Sequence, residues 1–148
     1  MRSPASIMGH PLHPMFVDLP IGMWIFSLVS DIVFRAGGNA AWQSAALYSM
    51  GVGIIAALVA AVPGFVDLLA IKDAVAKKIG VAHMCVNLVI VALFAINFFM
   101  RVSNATGSGP LLLSVIAIAL LVVSGGLGGS LVHVHHVAVE ERHEHPGA

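Results

Sequence analysis

Apolar residues run along the chain in four long blocks, separated by short polar joints. A bilayer core of roughly 30 Å takes about 20 mostly apolar residues as a helix. Four stretches meet that length: about 14–34, 42–71, 79–100 and 111–134. None shows the strict alternation of a membrane strand, and backbone in lipid must satisfy its own hydrogen bonds, so the blocks predict helices. The joints Arg35–Ala41, Lys72–Lys78 and Arg101–Pro110 are short. Short joints make successive helices antiparallel neighbours. The expected fold is therefore all-α: an integral membrane antiparallel four-helix bundle forming one domain over 1–148. A polar, histidine-containing tail over 140–148 closes the chain. No internal repeat stands out. The first apolar block is long, carries Asp18 and lacks a cleavage pattern, which argues against a signal peptide.

Composition sharpens this picture. Of 148 residues, 59% are hydrophobic and 9% are charged, far from the roughly 25% charged of a soluble domain. Seven Lys+Arg balance seven Asp+Glu, so no net field draws in nucleic acid. The single cysteine, Cys85, excludes an internal disulfide; it falls away from the polar stripe of its helix and reads as packing. One end of the bundle carries Arg2, Lys72, Lys77, Lys78 and Arg142, and the other carries Arg35 and Arg101. That asymmetry predicts both termini in the cytoplasm. Trp42 would mark the opposite interface.

The eight histidines outnumber Lys+Arg, and antiparallel threading gathers most of them at one end. His10 and His13 precede the first span, Asp67 lies near the end of the second, and His83 opens the third. His133, His135 and His136 close the fourth. Ionisable groups inside membrane segments are candidates for function. In Gly9-His-Pro-Leu-His-Pro14 each His precedes a Pro and is pushed towards extended geometry. A polyproline-like run would set the two imidazoles about 9 Å apart along one edge, with His13 just outside the helix that Pro14 starts. At 100° per residue His83, Asn87, Ile90, Phe94 and Asn97 share a face that should turn into the bundle. Asn87, one turn from His83, can orient its ring; for Asn97, interhelical bonding is the expectation. Asp67 shares a nearly side-chain-free strip with Gly53, Ala56, Ala60, Pro63 and Gly64. Span four repeats the theme at Gly125, Gly126, Gly128 and Gly129. Such strips allow tight helix packing and also leave room for a flat cofactor. Pro63 should kink its helix near Asp67.

Gly9-His-Pro-Leu-His-Pro14, Val17-Asp-Leu-Pro-Ile-Gly22, Asp31, Pro63-Gly-Phe-Val-Asp67, His83 and Gly128-Gly-Ser-Leu-Val132 together resemble the bacterial membrane-protein family termed domain of unknown function 2231. The resemblance covers nearly the whole chain and implies four spans. By analogy it also implies likeness to small haem-binding cytochrome b bundles, and some members of the family are joined to redox domains. The chain departs from the family where His133 replaces an aromatic and His136 a glycine, whereas His135 fits the pattern.

Three functions follow as expectations. The first is b-type haem held for electron transfer, with His83 as one axial ligand and His13 or His135 as the other. His10 and Asp67 would then meet propionates or fix tautomers. The second is a Zn, Fe or Cu site built from His10, His13, Asp67, His83 and His135, used for binding or metal transfer. The third is a structural subunit without cofactor. A stand-alone enzyme is not expected, because no nucleophile sits beside a base. The lipid bilayer, a redox protein or a second copy of the chain are the expected partners.

Overall fold

The computed structural model describes residues 3–103 and 108–137. Helices α1 (Leu12–Arg35), α2 (Ala40–Ala70), α3 (Ala74–Val102) and α4 (Gly109–His133) make up the bundle. All four are long and apolar enough to cross a membrane. At 1.5 Å per residue the shortest, of 24 residues, is about 36 Å long. Each helix starts ahead of its expected span, and at α2 and α3 a polar residue caps that earlier start. Asn39 accepts from the amide of Ala41 and Asp73 from that of Ala76, so Lys77 and Lys78 belong to α3 rather than to a loop. α2 continues through Pro63.

Helix α1 packs along α2 and α3 along α4, with thinner seams between α2 and α3 and between α1 and α4. The bundle is thus two hairpins laid side by side. Its apolar centre is Trp24, Met50, Ile90, Phe94 and Ala117. Trp24 stacks on Phe94 with centroids 4.4 Å apart and planes 12° apart. Gly53 makes this possible, since a Cβ there would lie 2.5 Å from the Trp24 Nε1. The small strip of α2 is therefore filled by rings from α1, which is the tight-packing reading. On α4 only Gly128 behaves this way. Gly125, Gly126 and Gly129 face open space, which corrects the expectation of a tightly packed glycine strip there. Cys85 is also exposed rather than packed.

The hairpins are equivalent, although no repeat is legible in the sequence. A step of 70 positions carries Asp31 to its ion-pair partner Arg101. The same step carries His13 to His83 and Trp24 to Phe94, and each of these pairs is in ring contact. A second constant step relates α2 to α4. Ser27 donates to the carbonyl of Ala46 at 2.7 Å, and its counterpart Asn97 donates to that of Pro110 at 2.8 Å. Self-complementary contacts of this kind, residue to counterpart, define a two-fold relation. Both hairpins run in the same sense, so the pseudo-axis lies along the bundle, as in parallel-repeat membrane folds.

Before α1 the chain forms a small hairpin. β1 (Ser6–Ile7) pairs with β2 (His10–Pro11). Met8 and Gly9 take φ of 52° and 82°, the doubly positive pattern of a tight two-residue turn. Leu12 donates back to Ala5. This replaces the expected polyproline run. His13 is already inside α1, and Pro14 fits because amides of a helix's first turn lack intrahelical acceptors.

Candidate histidine site within the bundle

The site takes one element from each helix. His13 on α1 places Nδ1 at 2.8 Å from the carbonyl oxygen of Ala60 on α2. A carbonyl only accepts, so Nδ1 carries the proton and donates, which leaves the Nε2 lone pair free. One turn on, Gly64 lies under the ring, where a Cβ would come within 2.6 Å of Nδ1. Across the axis, His83 on α3 repeats the arrangement. Its Nδ1 lies 3.0 Å from the carbonyl oxygen of Ser124 on α4. Gly128 sits one turn beyond, where a Cβ would stand 3.2 Å from Cε1. Ala60 and Ser124, like Gly64 and Gly128, are counterparts under the two-fold. The two rings meet edge-on, with centroids 6.3 Å apart and planes 88° apart.

The equivalence breaks around His83. Asn87 Nδ2 donates to the Ser124 hydroxyl at 2.7 Å and to the His83 carbonyl at 2.8 Å, and lies 3.2 Å from His83 Nε2. The Ser124 hydroxyl lies 3.1 Å from His83 Nδ1. At the matching positions the first hairpin has Val17 and Ala60, neither with a polar side chain. Among the described residues no hydrogen bond reaches His13 Nε2.

The remaining expected site residues lie elsewhere. His10 is exposed on the small hairpin and bonds the Met8 carbonyl at 3.1 Å. It does not share an edge with His13, because the turn at Met8–Gly9 and the early start of α1 separate them. Asp67 is buried but serves the N-terminal segment, accepting from the Ser3 hydroxyl at 2.5 Å and more weakly from the Ala5 amide. Replacing Asp67 with Asn should loosen that segment. Proteolysis before Leu12 is expected to accelerate while the spectral properties of the His13–His83 pair stay unchanged. His135 lines a separate cleft of about 510 Å³ together with Ser3, Lys72 and Asp73. The single layer of six histidines is therefore corrected to one pair. Among the described residues no group of three or more His, Cys, Asp or Glu is placed to hold a metal ion. His143 and His145 lie outside the described residues.

At the opposite end Asp31 and Arg101 form a two-pronged ion pair, with Nη1 to Oδ1 at 2.5 Å and Nη2 to Oδ2 at 2.6 Å. Arg101 Nε also donates to Asn97 Oδ1, and Asn97 bonds Ser114 and the Pro110 carbonyl on α4. This network went unrecognised in the sequence. Asp31 closing one span and Arg101 closing another at the same end was the available signal.

A model of predicted membrane proteins, DUF2231, matches residues 9–141. The chain belongs to this family. No curated protein and no solved structure matches it. The DUF2231 match runs from the turn glycine ahead of α1 to beyond α4, so it takes in both hairpins and every residue of the histidine pair.

Proposed function

We propose that this membrane protein holds b-type haem between His13 and His83 and serves electron transfer. The observation that carries the reading is the spacing of the two rings. Imidazoles bound on opposite sides of one metal have Nε2 about 2.0–2.1 Å from it. The ring centre lies about 1.1 Å behind the nitrogen for ring bonds near 1.33 Å. Centroids then fall about 6.3 Å apart, which matches the observed separation. Both Nδ1 atoms are tied to carbonyls, the arrangement that fixes tautomer and orientation in a metal-ligating histidine. Two imidazoles alone do not complete a tetrahedral zinc site. They do suit a group that brings its own equatorial nitrogens. Haem supplies one-electron chemistry, and the protein tunes it through ligand identity, burial and hydrogen bonding. In this chain His13 and His83 would ligate, Ala60 and Ser124 would orient them, and Gly64 and Gly128 would admit their rings.

The excess of basic residues at one end supports localisation in the cytoplasmic membrane with both termini inside.

The test is the absorption spectrum of gently purified protein, reconstituted with haemin and then reduced. A Soret band with sharp reduced α-bands is expected, and His13→Ala or His83→Ala should abolish the six-coordinate signature. The competing reading is a packing layer, favoured by the hydrogen bonds the His83 ring already makes within the protein. A wild-type protein that stays colourless after reconstitution and carries no stoichiometric metal would establish it. Stoichiometric metal without colour would indicate a non-haem site.

A further inference from the structure

Asp18 is exposed on α1, about 140° round the helix from the inward-facing His13 at 100° per residue. Its depth follows from the histidine site. Gly64 on α2 is level with His13, because a Cβ there would meet the ring. Leu69 lies five residues beyond Gly64 towards the end of the bundle that carries the small hairpin, and Asp18 lies five residues beyond His13 in the opposite direction. At 1.5 Å per residue the two are about 15 Å apart along the bundle. Leu69 is 61% exposed, and Ile32, further down α1, is 53% exposed. Asp18 therefore sits well inside the apolar belt that faces lipid. Among the described residues it has no hydrogen-bond or ion-pair partner. Ionisable side chains in membrane segments almost always turn into a bundle or a water-filled cavity and pair there, because charge against hydrocarbon is costly. Asp31 and Asp67, the other acids of the four helices, are partnered within the chain. Gly22 lies one turn deeper on the face of Asp18, and a Cβ there would meet nothing within 4 Å. A small residue beside a polar one lets membrane helices approach closely and bond.

We infer that this face of α1 is the contact surface for a transmembrane helix of a partner protein that carries a lysine or arginine at mid-span. Charge selects the occupant. A second copy related by a two-fold would set Asp18 against Asp18, and like charges repel. A copy docked by any other face brings no cation to this depth. Lys72, Lys77 and Lys78 lie at one end of the bundle, and Arg35 and Arg101 at the other. Lys78, five residues before His83, is about 15 Å from the level of Asp18, and Arg101 is engaged by Asp31. The inference stands apart from what the histidine pair holds.

The probe is a synthetic leucine–alanine helix of about 20 residues, long enough to span, with one lysine at mid-span, a glycine one turn away and a terminal dansyl group. It is mixed with the full-length protein in phosphatidylcholine vesicles and read by energy transfer from the protein's tryptophans. The control peptide has leucine in place of the lysine. The wild type is expected to prefer the lysine peptide by about five- to thirtyfold, the range of polar contacts between model membrane helices. Asp18→Leu should erase the preference and leave the stability of the chain unchanged or raised, since the carboxylate has no partner in the chain to lose. Gly22→Ile keeps the carboxylate but closes the approach, and should lose most of the preference. Equal association of the two peptides with the wild type overturns the inference, as does a preference that survives in Asp18→Leu or is undiminished in Gly22→Ile. A large loss of stability in Asp18→Leu would assign the carboxylate to this chain's own fold and overturn it too. Self-association of the wild type that depends on Asp18 and excludes the lysine peptide would replace the partner with a second copy.

Discussion

Replacing Arg101 with Met should destabilise the protein by about 3–5 kcal/mol, the usual cost of leaving one member of a buried ion pair without its partner. Asp31 is 6% exposed, and both of its oxygens rest on the Arg101 guanidinium. Removing that group strips both carboxylate oxygens of their guanidinium partner at a position shielded from solvent. Asn97 loses its Arg101 contact as well, although its own donors keep Ser114 and the Pro110 carbonyl. The pair also bridges the two hairpins across the pseudo-axis, so its loss is felt at the thinner seam. The companion variant is the double replacement Asp31→Leu with Arg101→Met. A buried pair exchanged for apolar residues of similar volume is often neutral or better, so the double variant should recover most of the loss. Unfolding in detergent, followed by Trp24 fluorescence, measures both. Equal losses in the single and double variants would show that the pair is not coupled. The pair is also the plainest departure from the two-fold. Two copies of the first hairpin would set Asp31 against itself, and like charges at that distance repel. Asp31 and Arg101 thereby select pairing of the first hairpin with the second.

The parts of this architecture that depend on spacing along one helix were legible in the sequence. Four apolar blocks gave four helices, the small strip of α2 faced inwards, and His83, Asn87, Ile90, Phe94 and Asn97 lay on one inward stripe of α3. The parts that depend on partners were not legible. The repeat escaped because counterparts share a contact rather than an identity: Asp31 answers Arg101, Trp24 answers Phe94, Ser27 answers Asn97. The hairpin before α1 escaped because Met8-Gly9 lacks the Asn-Gly or Asp-Gly cue that marks such turns, while the two His-Pro steps pointed to extended chain. Asp67 looked like a site residue because its bond to Ser3 spans most of two helices and leaves no local trace. Glycines on α4 read alike in sequence, yet only Gly128 meets a ring. The face a residue presents was readable, and the occupant of the opposite face was not.

Gly64→Ala should disrupt the histidine pair, whereas its counterpart Gly128→Ala should be tolerated. A Cβ at Gly64 would lie 2.6 Å from Nδ1 and 2.8 Å from Cε1 of His13, closer than packed atoms sit. The ring cannot retreat without giving up its bond to the Ala60 carbonyl, which is what fixes its tautomer. Overpacking of this kind costs about 1–3 kcal/mol, and a lost buried hydrogen bond adds to it. At Gly128 the nearest atom, Cε1 of His83, is 3.2 Å from the added carbon. A shift of a few tenths of an ångström relieves it, and the Ser124 and Asn87 contacts can follow such a shift. Two positions equivalent in the fold should therefore differ sharply in effect. In the reconstituted protein Gly64→Ala is expected to lose the six-coordinate spectrum and to melt earlier. Gly128→Ala should keep the spectrum and lose less than about 1 kcal/mol, within the range of mild core substitutions. If Gly64→Ala retained the wild-type spectrum and stability, His13 would not be seated against α2, and the pair could not serve as a fixed two-sided clamp. The contrast bears on more than packing. The spectrum, rather than the melting temperature, separates a site that needs both rings held at one spacing from a layer of polar side chains that merely fills the end of the bundle. A filler layer would show the same difference in stability between the two variants but carry no spectrum to lose.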